Sequence, residues 1–165
     1  MTAGGHIVAA LVAVNALGSA TVGDGPHFWA APFELEEEFG GLGYTREVDN
    51  SMRIKGLSVP ATTIGAVVTD AVLTKAQAHR LSIMAHDGLA RAILPAHLPF
   101  DGDTMFSAAT GAKPVADMQA LMEIFHLATL VTARAVARGI YEATTLPVPK
   151  AQSAWRDRFG PYFKQ

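Results

Sequence analysis

Short apolar runs at three places along the chain predict buried strands. They occupy residues 7–14, 62–70 and 105–111, and the first two contain several of the β-branched residues that favour strands. The second run follows a Gly/Pro-containing loop that includes Ser58 and Val59. Two adjacent threonines, at 62 and 63, therefore stand at the start of a predicted strand.

Helical spacing follows the second and third of these runs. Thr74 and Gln77 have the spacing of a capping box, which predicts a helix from about Lys75 that ends before Pro95. Apolar residues then keep a helical step over 115–143, and the middle of this segment is apolar nearly all round. The second helix is therefore expected to be buried on both sides.

The resulting order is β, long loop, β, α, β, α, which indicates an α/β layered domain. Residues 1–165 are predicted to form one domain, with a βαβα core over 62–144. Three strands make a small sheet for this much apolar surface. The chain is therefore predicted to be one part of a larger layered assembly.

Residues 20–61 keep neither a helical nor a strand period and are interpreted as a long linker. Loops of this length are usually functional or disordered, so the segment is either exposed or meant to be processed at its end. Its acidic cluster is expected to be a solvated face: Glu34, Glu36, Glu37 and Glu38. The tail over 145–165 is expected to pack on another surface through its aromatic residues: Trp155, Phe159, Tyr162 and Phe163.

Composition narrows the function classes. Half of the 165 residues are hydrophobic and 17% are charged, which indicates a core-rich domain and favours a homo-oligomer. A net charge of −2 gives no basic surface for nucleic acid or an anionic membrane. Cysteine is absent, which excludes disulfides and thiolate chemistry. The first apolar run lacks a basic flank and is too short to span a membrane, so a cytoplasmic protein is expected.

The usual cofactor signatures are missing from the sequence. There is no phosphate loop, dinucleotide fingerprint or nucleophile elbow, and the six histidines have no recurrent metal-ligand spacing. Asp101-Gly102-Asp103 is similar to the start of a calcium loop, but the remaining ligand positions are not supplied. We expect neither a cofactor nor a metal.

The remaining polar candidates are a hydroxyl at a strand start, Asn15 at a strand end, and the two carboxylates of Asp101 and Asp103. These types suit an N-terminal-nucleophile hydrolase, in which cleavage before Thr62 frees an α-amine that acts as base for its own hydroxyl. Such an amine titrates at about 7.7–8.0 and is partly neutral near pH 7. Residue types alone leave open that Thr62 is an ordinary strand threonine.

Several short motifs along the chain also resemble those of a known protein family. They are Ala61–Ile64, Thr69–Asp70, Leu73–Gln77, Met84–Ile93 and Phe100–Thr104, with Val12–Ser19 before the long loop. Together they resemble the L-aminopeptidase/D-esterase (β-aminopeptidase) family, which includes the nylon-oligomer endohydrolases. The resemblance covers about residues 6 to 111.

The resemblance implies an αββα sandwich made as a precursor that cuts itself, here at the Ala61–Thr62 bond. It implies Thr62 as nucleophile and, once exposed, as base, with Thr63 as second choice. It also implies an oxyanion-stabilising amide from Asn15. The substrate would be a small peptide or amide.

Asp101 and Asp103 match the family's carboxylates that orient the nucleophile. Two features depart from the family pattern. Ala61 stands where members with a threonine nucleophile have Asn, and the family's N-terminal portion, with its active-site lysine, is not matched. Lys55 and Lys75 do not fit that lysine's motif, so the chain resembles the C-terminal half of the fold.

Three functions stay open at this point. The first is a self-processing amide or peptide hydrolase, active either alone or with a separate polypeptide that carries the N-terminal half. The second is a catalytically inactive fragment that serves as an oligomeric scaffold. The third is acyl transfer, as in the related ornithine acetyltransferases.

Overall fold

The computed structural model describes residues 1–56 and 60–160 and contains one sheet with helices on one face. Ser58, Val59, Tyr162 and Phe163 lie outside the described residues. The elements, numbered in chain order, are β1 (Thr2–Ala3), β2 (His6–Ala13), a 3-10 turn (Ala31–Phe33), β3 (Ile64–Ala71), α1 (Lys75–Ala92), β4 (Thr104–Lys113), α2 (Met118–Glu142) and α3 (Trp155–Phe159). The mixed α/β class is confirmed, as are the three predicted strands and the two predicted long helices.

The sheet has the order β1-β2-β3-β4. β2 runs antiparallel to β3 and pairs Ala13 with Ile64, whereas β3 runs parallel to β4 and pairs Ile64 with Thr104. This register brings the end of β2 beside the starts of β3 and β4. The loops that carry the candidate residues therefore meet at one end of the sheet.

The two long helices form the covering layer. The predicted capping box of α1 is confirmed, since the Thr74 hydroxyl accepts from the Gln77 N–H and the Gln77 side chain accepts from the Thr74 N–H. At Gly88, an added Cβ would lie 2.5 Å from the carbonyl oxygen of Thr129. Glycine thus permits the close approach of α1 and α2.

The second helix, α2, is apolar for most of its length. It begins at an Asp117 N-cap whose side chain accepts from the Ala120 N–H. By length and composition α2 would suffice to cross a membrane, but 61% of its most apolar window is buried in this fold. Ile124 and Val136 are fully buried, as expected for a helix packed in the core.

The sheet is covered on one face only, which corrects the prediction of fully buried strands. Val8 and Val67 are completely buried under the helices, whereas Leu11 is 80% exposed on the opposite face. Val68 and Phe106 are exposed beside it. Residues 1–56 and 60–160 thus form one helical layer and one sheet, and they leave the apolar outer face of the sheet uncovered.

Residues 20–56 contain little regular structure, as predicted, but they do not form an exposed linker. Phe28 and Phe39 are buried and meet edge to face, with ring centroids 5.4 Å apart. Trp155 of α3 stacks on Phe28, and Phe159 packs on Trp155. The two aromatic residues of α3 therefore pack on another surface, as predicted, and that surface belongs to the same chain.

The acidic cluster is also partly structural. Glu38 receives two hydrogen bonds from the Arg134 guanidinium on α2, and Arg138 lies 3.6 Å away. Glu34 accepts from the backbone N–H groups of Phe39 and Gly41, each at 2.9 Å. The expectation of a solvated face is thus wrong for these two glutamates, because the segment folds back onto α2.

Candidate active site

Three backbone segments meet around the Ala61–Thr62 peptide bond. The Thr62 N–H donates to the carbonyl oxygen of Asn15 at 2.9 Å. The Ala61 carbonyl oxygen accepts from the Gly102 N–H at 3.4 Å. The loop after β2 and the loop before β4 therefore hold this bond from two sides.

The two threonines have different environments. Thr62 is half-buried, and its hydroxyl donates to the Ala61 carbonyl oxygen at 2.5 Å. Thr63 is fully buried, and its Oγ1 has no hydrogen-bond partner within the described part of the chain. Of the two hydroxyls, that of Thr62 is the one that lies against the Ala61–Thr62 bond.

Asn15 is exposed and contacts both ends of the loop that leads to this bond. Its side-chain Nδ2 donates to the Pro60 carbonyl oxygen at 3.2 Å. Lys55 Nζ donates to Asn15 Oδ1 and, at 3.1 Å, to the Asn15 carbonyl oxygen. The same carbonyl oxygen accepts from the Thr62 N–H, so the lysine ammonium and the Thr62 nitrogen are near neighbours.

Lys55 is the functional candidate that the sequence did not identify. Its flanking residues do not match the family's lysine motif, and a motif cannot report a contact made across 40 positions. Burial lowers the pKa of the Lys55 ammonium, and the charge of Asp101 opposes that effect. The amine is therefore directed toward the site and partly shielded from water.

Two carboxylates complete the cluster. Asp103 Oδ1 accepts from the Thr63 N–H at 2.7 Å, and its Oδ2 lies 3.7 Å from His97 Nδ1. Both oxygens of Asp101 are buried and receive no hydrogen bond from the residues that the structure describes. Burial, followed by the charge of Asp103, raises the pKa of the Asp101 carboxyl. Asp101 thus holds a proton more readily than an ordinary exposed aspartate does.

The arrangement supplies the groups that acyl chemistry needs. Thr62 provides a hydroxyl at a carbonyl group, Asn15 an amide donor, and Asp101 a carboxyl with a raised pKa. Over residues 1–56 and 60–160, no group of three or more His, Asp and Glu side chains is arranged to hold a metal ion.

Fold and site together define a mixed α/β protein that surrounds one of its own peptide bonds with nucleophilic and polar groups. Residues 1–154 match the profile of peptidase family S58, and the chain belongs to this β-aminopeptidase family. The resemblance drawn from the motifs is therefore confirmed.

The similar curated proteins are all described as uncharacterized aminopeptidases. Those of Mycobacterium tuberculosis and Mycobacterium bovis are 39% identical over 111 residues, which is 60% of this chain and 32% of each relative. That of Mycobacterium leprae is 57% identical over 56 residues, or 34% of this chain and 16% of the relative. The chain thus spans about a third or less of the length of these relatives.

Among solved structures, a β-aminopeptidase from a Burkholderia species aligns with 76% of this chain and 43% of its own. The TM-score is 0.49 and the sequence identity is 19%.

Proposed function

We propose that this chain is a self-processing amide or peptide hydrolase in which Thr62 is the nucleophile. The observation that carries the proposal is the Thr62 hydroxyl, which lies 2.5 Å from the carbonyl oxygen of the preceding residue, Ala61. A hydroxyl in this position is close to the group that it must attack to cut the chain before itself. The arrangement described, with the Ala61–Thr62 bond intact, would be that of the chain before cleavage.

Cleavage would convert Thr62 into an N-terminal residue. A threonine hydroxyl is a weak nucleophile at neutral pH and needs an adjacent base. While the Thr62 nitrogen is part of an amide it cannot act as this base. The freed α-amine can, since the pKa of such an amine is about 7.7–8.0 in unperturbed chains. Turnover would then proceed by transfer of a substrate acyl group to the Thr62 hydroxyl, followed by attack of water on the ester.

Asn15 would be the oxyanion donor in turnover. Its amide bonds the Pro60 carbonyl in the uncut chain. Release of the end of the loop by cleavage would free that amide for a substrate oxygen. Lys55 would act as a positioning residue, because its ammonium donates to Asn15 Oδ1 and so orients the amide with Nδ2 outward.

The carboxylates would position the nucleophile rather than attack. Asp103 holds the Thr63 N–H and thereby fixes the start of β3. Asp101, which has a raised pKa and lies beside Gly102, would accept a proton from Thr62 or face the α-ammonium after cleavage. Small peptides or amides with a free amine are the proposed substrates, as for aminopeptidases in general.

The uncovered face of the sheet supports a proposal about partners. It is apolar, with Leu11 and Phe106 exposed, and such faces are normally covered. The chain spans about a third of the length of its first relatives. We propose that the remainder of the family fold, in the same or a separate polypeptide, packs on this face, or that a second copy does so.

The decisive experiment is intact-mass spectrometry of the purified chain under denaturing conditions over time. Two fragments that break between Ala61 and Thr62 are expected, and Thr62→Ala should abolish them. Thr110→Ala, the same change at an exposed threonine of β4, serves as the matched control and should process normally. Aminopeptidase substrates should be hydrolysed only by preparations that have been cut.

The other two functions give different results. A chain that stays whole and inactive, both alone and with the rest of the family fold added, would support the inactive scaffold. Faster loss of acyl substrate when an amine acceptor is added, with the acyl group recovered on that amine, would support an acyltransferase.

A further inference from the structure

We infer that the backbone N–H of Gly102, and not the side chain of Asn15, stabilises the oxyanion when the chain cuts itself. This inference rests on the proposed cleavage at Ala61–Thr62. In the uncut chain the Ala61 carbonyl oxygen accepts from the Gly102 N–H at 3.4 Å. The Asn15 amide reaches only the preceding carbonyl, that of Pro60, at 3.2 Å.

The chemistry puts the charge on the oxygen that Gly102 contacts. Thr62 Oγ1 forms a bond to the Ala61 carbonyl carbon and passes its proton to a base, and the carbonyl oxygen becomes negative. The C–N bond then breaks, the Thr62 nitrogen leaves as an amine with a proton, and an ester remains. Water hydrolyses this ester to the Ala61 carboxylate and the free hydroxyl. A hydrogen-bond donor fixed on that oxygen lowers the barrier to the first step.

The N···O distance of 3.4 Å is long for a hydrogen bond. Catalytic hydrogen bonds are often this long before reaction, and they shorten as negative charge develops on the acceptor oxygen. The donor is held in place by its neighbours. The Thr104 hydroxyl donates to the Gly102 carbonyl oxygen at 3.1 Å, and the Thr104 N–H donates to the Thr63 carbonyl oxygen at 2.9 Å. Thr104, at the start of β4, is therefore hydrogen-bonded both to Gly102 and to Thr63, the second residue after the bond to be cut.

The short distance to the Thr62 hydroxyl also favours glycine at position 102. A Cβ there would lie 2.5 Å from Thr62 Oγ1 and 3.4 Å from both Cβ and Cγ2 of the same residue. Real Cβ atoms essentially never approach another atom as closely as 2.5 Å. A side chain at 102 would therefore displace the Thr62 hydroxyl, which shares the Ala61 carbonyl oxygen with the Gly102 N–H.

The site thus has separate donors for its two reactions. Gly102 would serve the single cleavage of the chain, and Asn15 would serve turnover once Pro60 and Ala61 have moved away. Ala61 has no side-chain amide that could assist its own cleavage, so in this chain a backbone donor supplied by the opposite loop carries that step.

The test replaces the Gly102 N–H with an ester oxygen, by incorporating glycolic acid at position 102, and follows intact mass over time. The same replacement at the exposed Gly43 is the control. Cleavage at Ala61–Thr62 should slow about 10²–10³-fold for the ester at 102, the usual cost of losing one oxyanion donor, and should be unchanged for the ester at 43. Chemical hydrolysis of the ester itself breaks the chain after Asp101 and has a different mass.

A second variant tests the steric requirement. Gly102→Ala keeps the N–H but displaces the Thr62 hydroxyl, so processing should slow at least tenfold with an unchanged far-UV circular dichroism spectrum. Gly139→Ala, whose Cβ would make only an ordinary 3.6 Å contact, is the matched control. Normal processing of the ester at 102 would overturn the role of the N–H while leaving Thr62 as the nucleophile. An unmodified chain that is never cut would overturn both proposals.

Discussion

The ion pair between Glu38 and Arg134 should make a large contribution to the stability of the fold. It joins the irregular segment 20–61 to α2 through two parallel hydrogen bonds, one of them at 2.9 Å. The side chains are only 13% and 16% exposed. We predict that Glu38→Gln destabilises the chain substantially, although glutamate and glutamine are both polar and nearly equal in size.

The magnitude follows from the burial of the pair. Loss of one partner of a fully buried pair costs about 3–5 kcal/mol, and an exposed pair is worth about 0–1 kcal/mol. The residual exposure of both side chains lets water reach the orphaned guanidinium, so about 2–3 kcal/mol is expected. In a chain of this length that corresponds to roughly 5–10 °C in Tm.

The measurement is urea unfolding of both variants in a Thr62→Ala background, which keeps the chain in one piece. Glu36→Gln removes the same charge from an exposed neighbour without a described partner, and should change the free energy of unfolding by less than about 0.5 kcal/mol. If Glu38→Gln lowers the free energy of unfolding no more than Glu36→Gln does, the Glu38–Arg134 contact does not hold residues 20–56 on α2 in solution.

The pH dependence provides an independent check. Burial opposes ionisation of Glu38, but the hydrogen bonds and charge of Arg134 outweigh it and lower its pKa. A carboxyl whose pKa is lowered by folding stabilises the fold above its ordinary value of about 4.3 and loses that contribution as the pH falls through the folded pKa. The difference between Glu38 and its Gln variant should therefore shrink in acid.

Three further predictions concern the site and the helical layer. Lys55→Met should slow turnover of the cut enzyme about 10–100-fold and move the acid limb of its pH–rate profile to higher pH. The reason is that a nearby ammonium keeps the pKa of the Thr62 amine low, so Lys55→Arg should return the limb to its original pH. Asp101→Asn should block processing yet raise Tm at neutral pH, since the raised pKa of Asp101 reflects a carboxylate that folding disfavours, and the gain should disappear as the pH falls. Gly88→Ala should lower stability by about 1–3 kcal/mol in chemical denaturation despite its better helix propensity, because the new methyl meets the Thr129 carbonyl oxygen.

Local patterns predicted most of the regular structure correctly. The capping box at Thr74 and Gln77 marked the start of α1 to the residue, because both partners of its hydrogen bonds lie within one turn. The β-branched run after Thr63 likewise gave β3. Burial was harder to predict, because an apolar run does not reveal whether one face or two will be covered, and Leu11 proved exposed.

Contacts made by the irregular segment could not be predicted from the sequence. Glu38 meets Arg134 across 96 positions, and Lys55 meets Asn15 across 40. No periodicity links such pairs, and charge patterning alone made the glutamates look like a solvated face. Motif comparison selected Asn15 and Thr62, but only the folded chain revealed that Lys55 and Gly102 also contact them.

The pairing of the sheet explains how a cut at Ala61 would leave the site intact. Asn15 and Lys55 precede the bond, whereas Thr62 and Gly102 follow it. The first part of the chain is joined to the second along β2 and β3, which pair from Val8–Thr69 to Ala13–Ile64, and α2 packs on β2 as well. Cleavage would therefore release the loop end beside the new N-terminus, while the ladder would keep Asn15 beside the nucleophile. The Lys55 N–H, which donates to the Leu17 carbonyl oxygen at 3.1 Å, would keep the lysine near the end of β2.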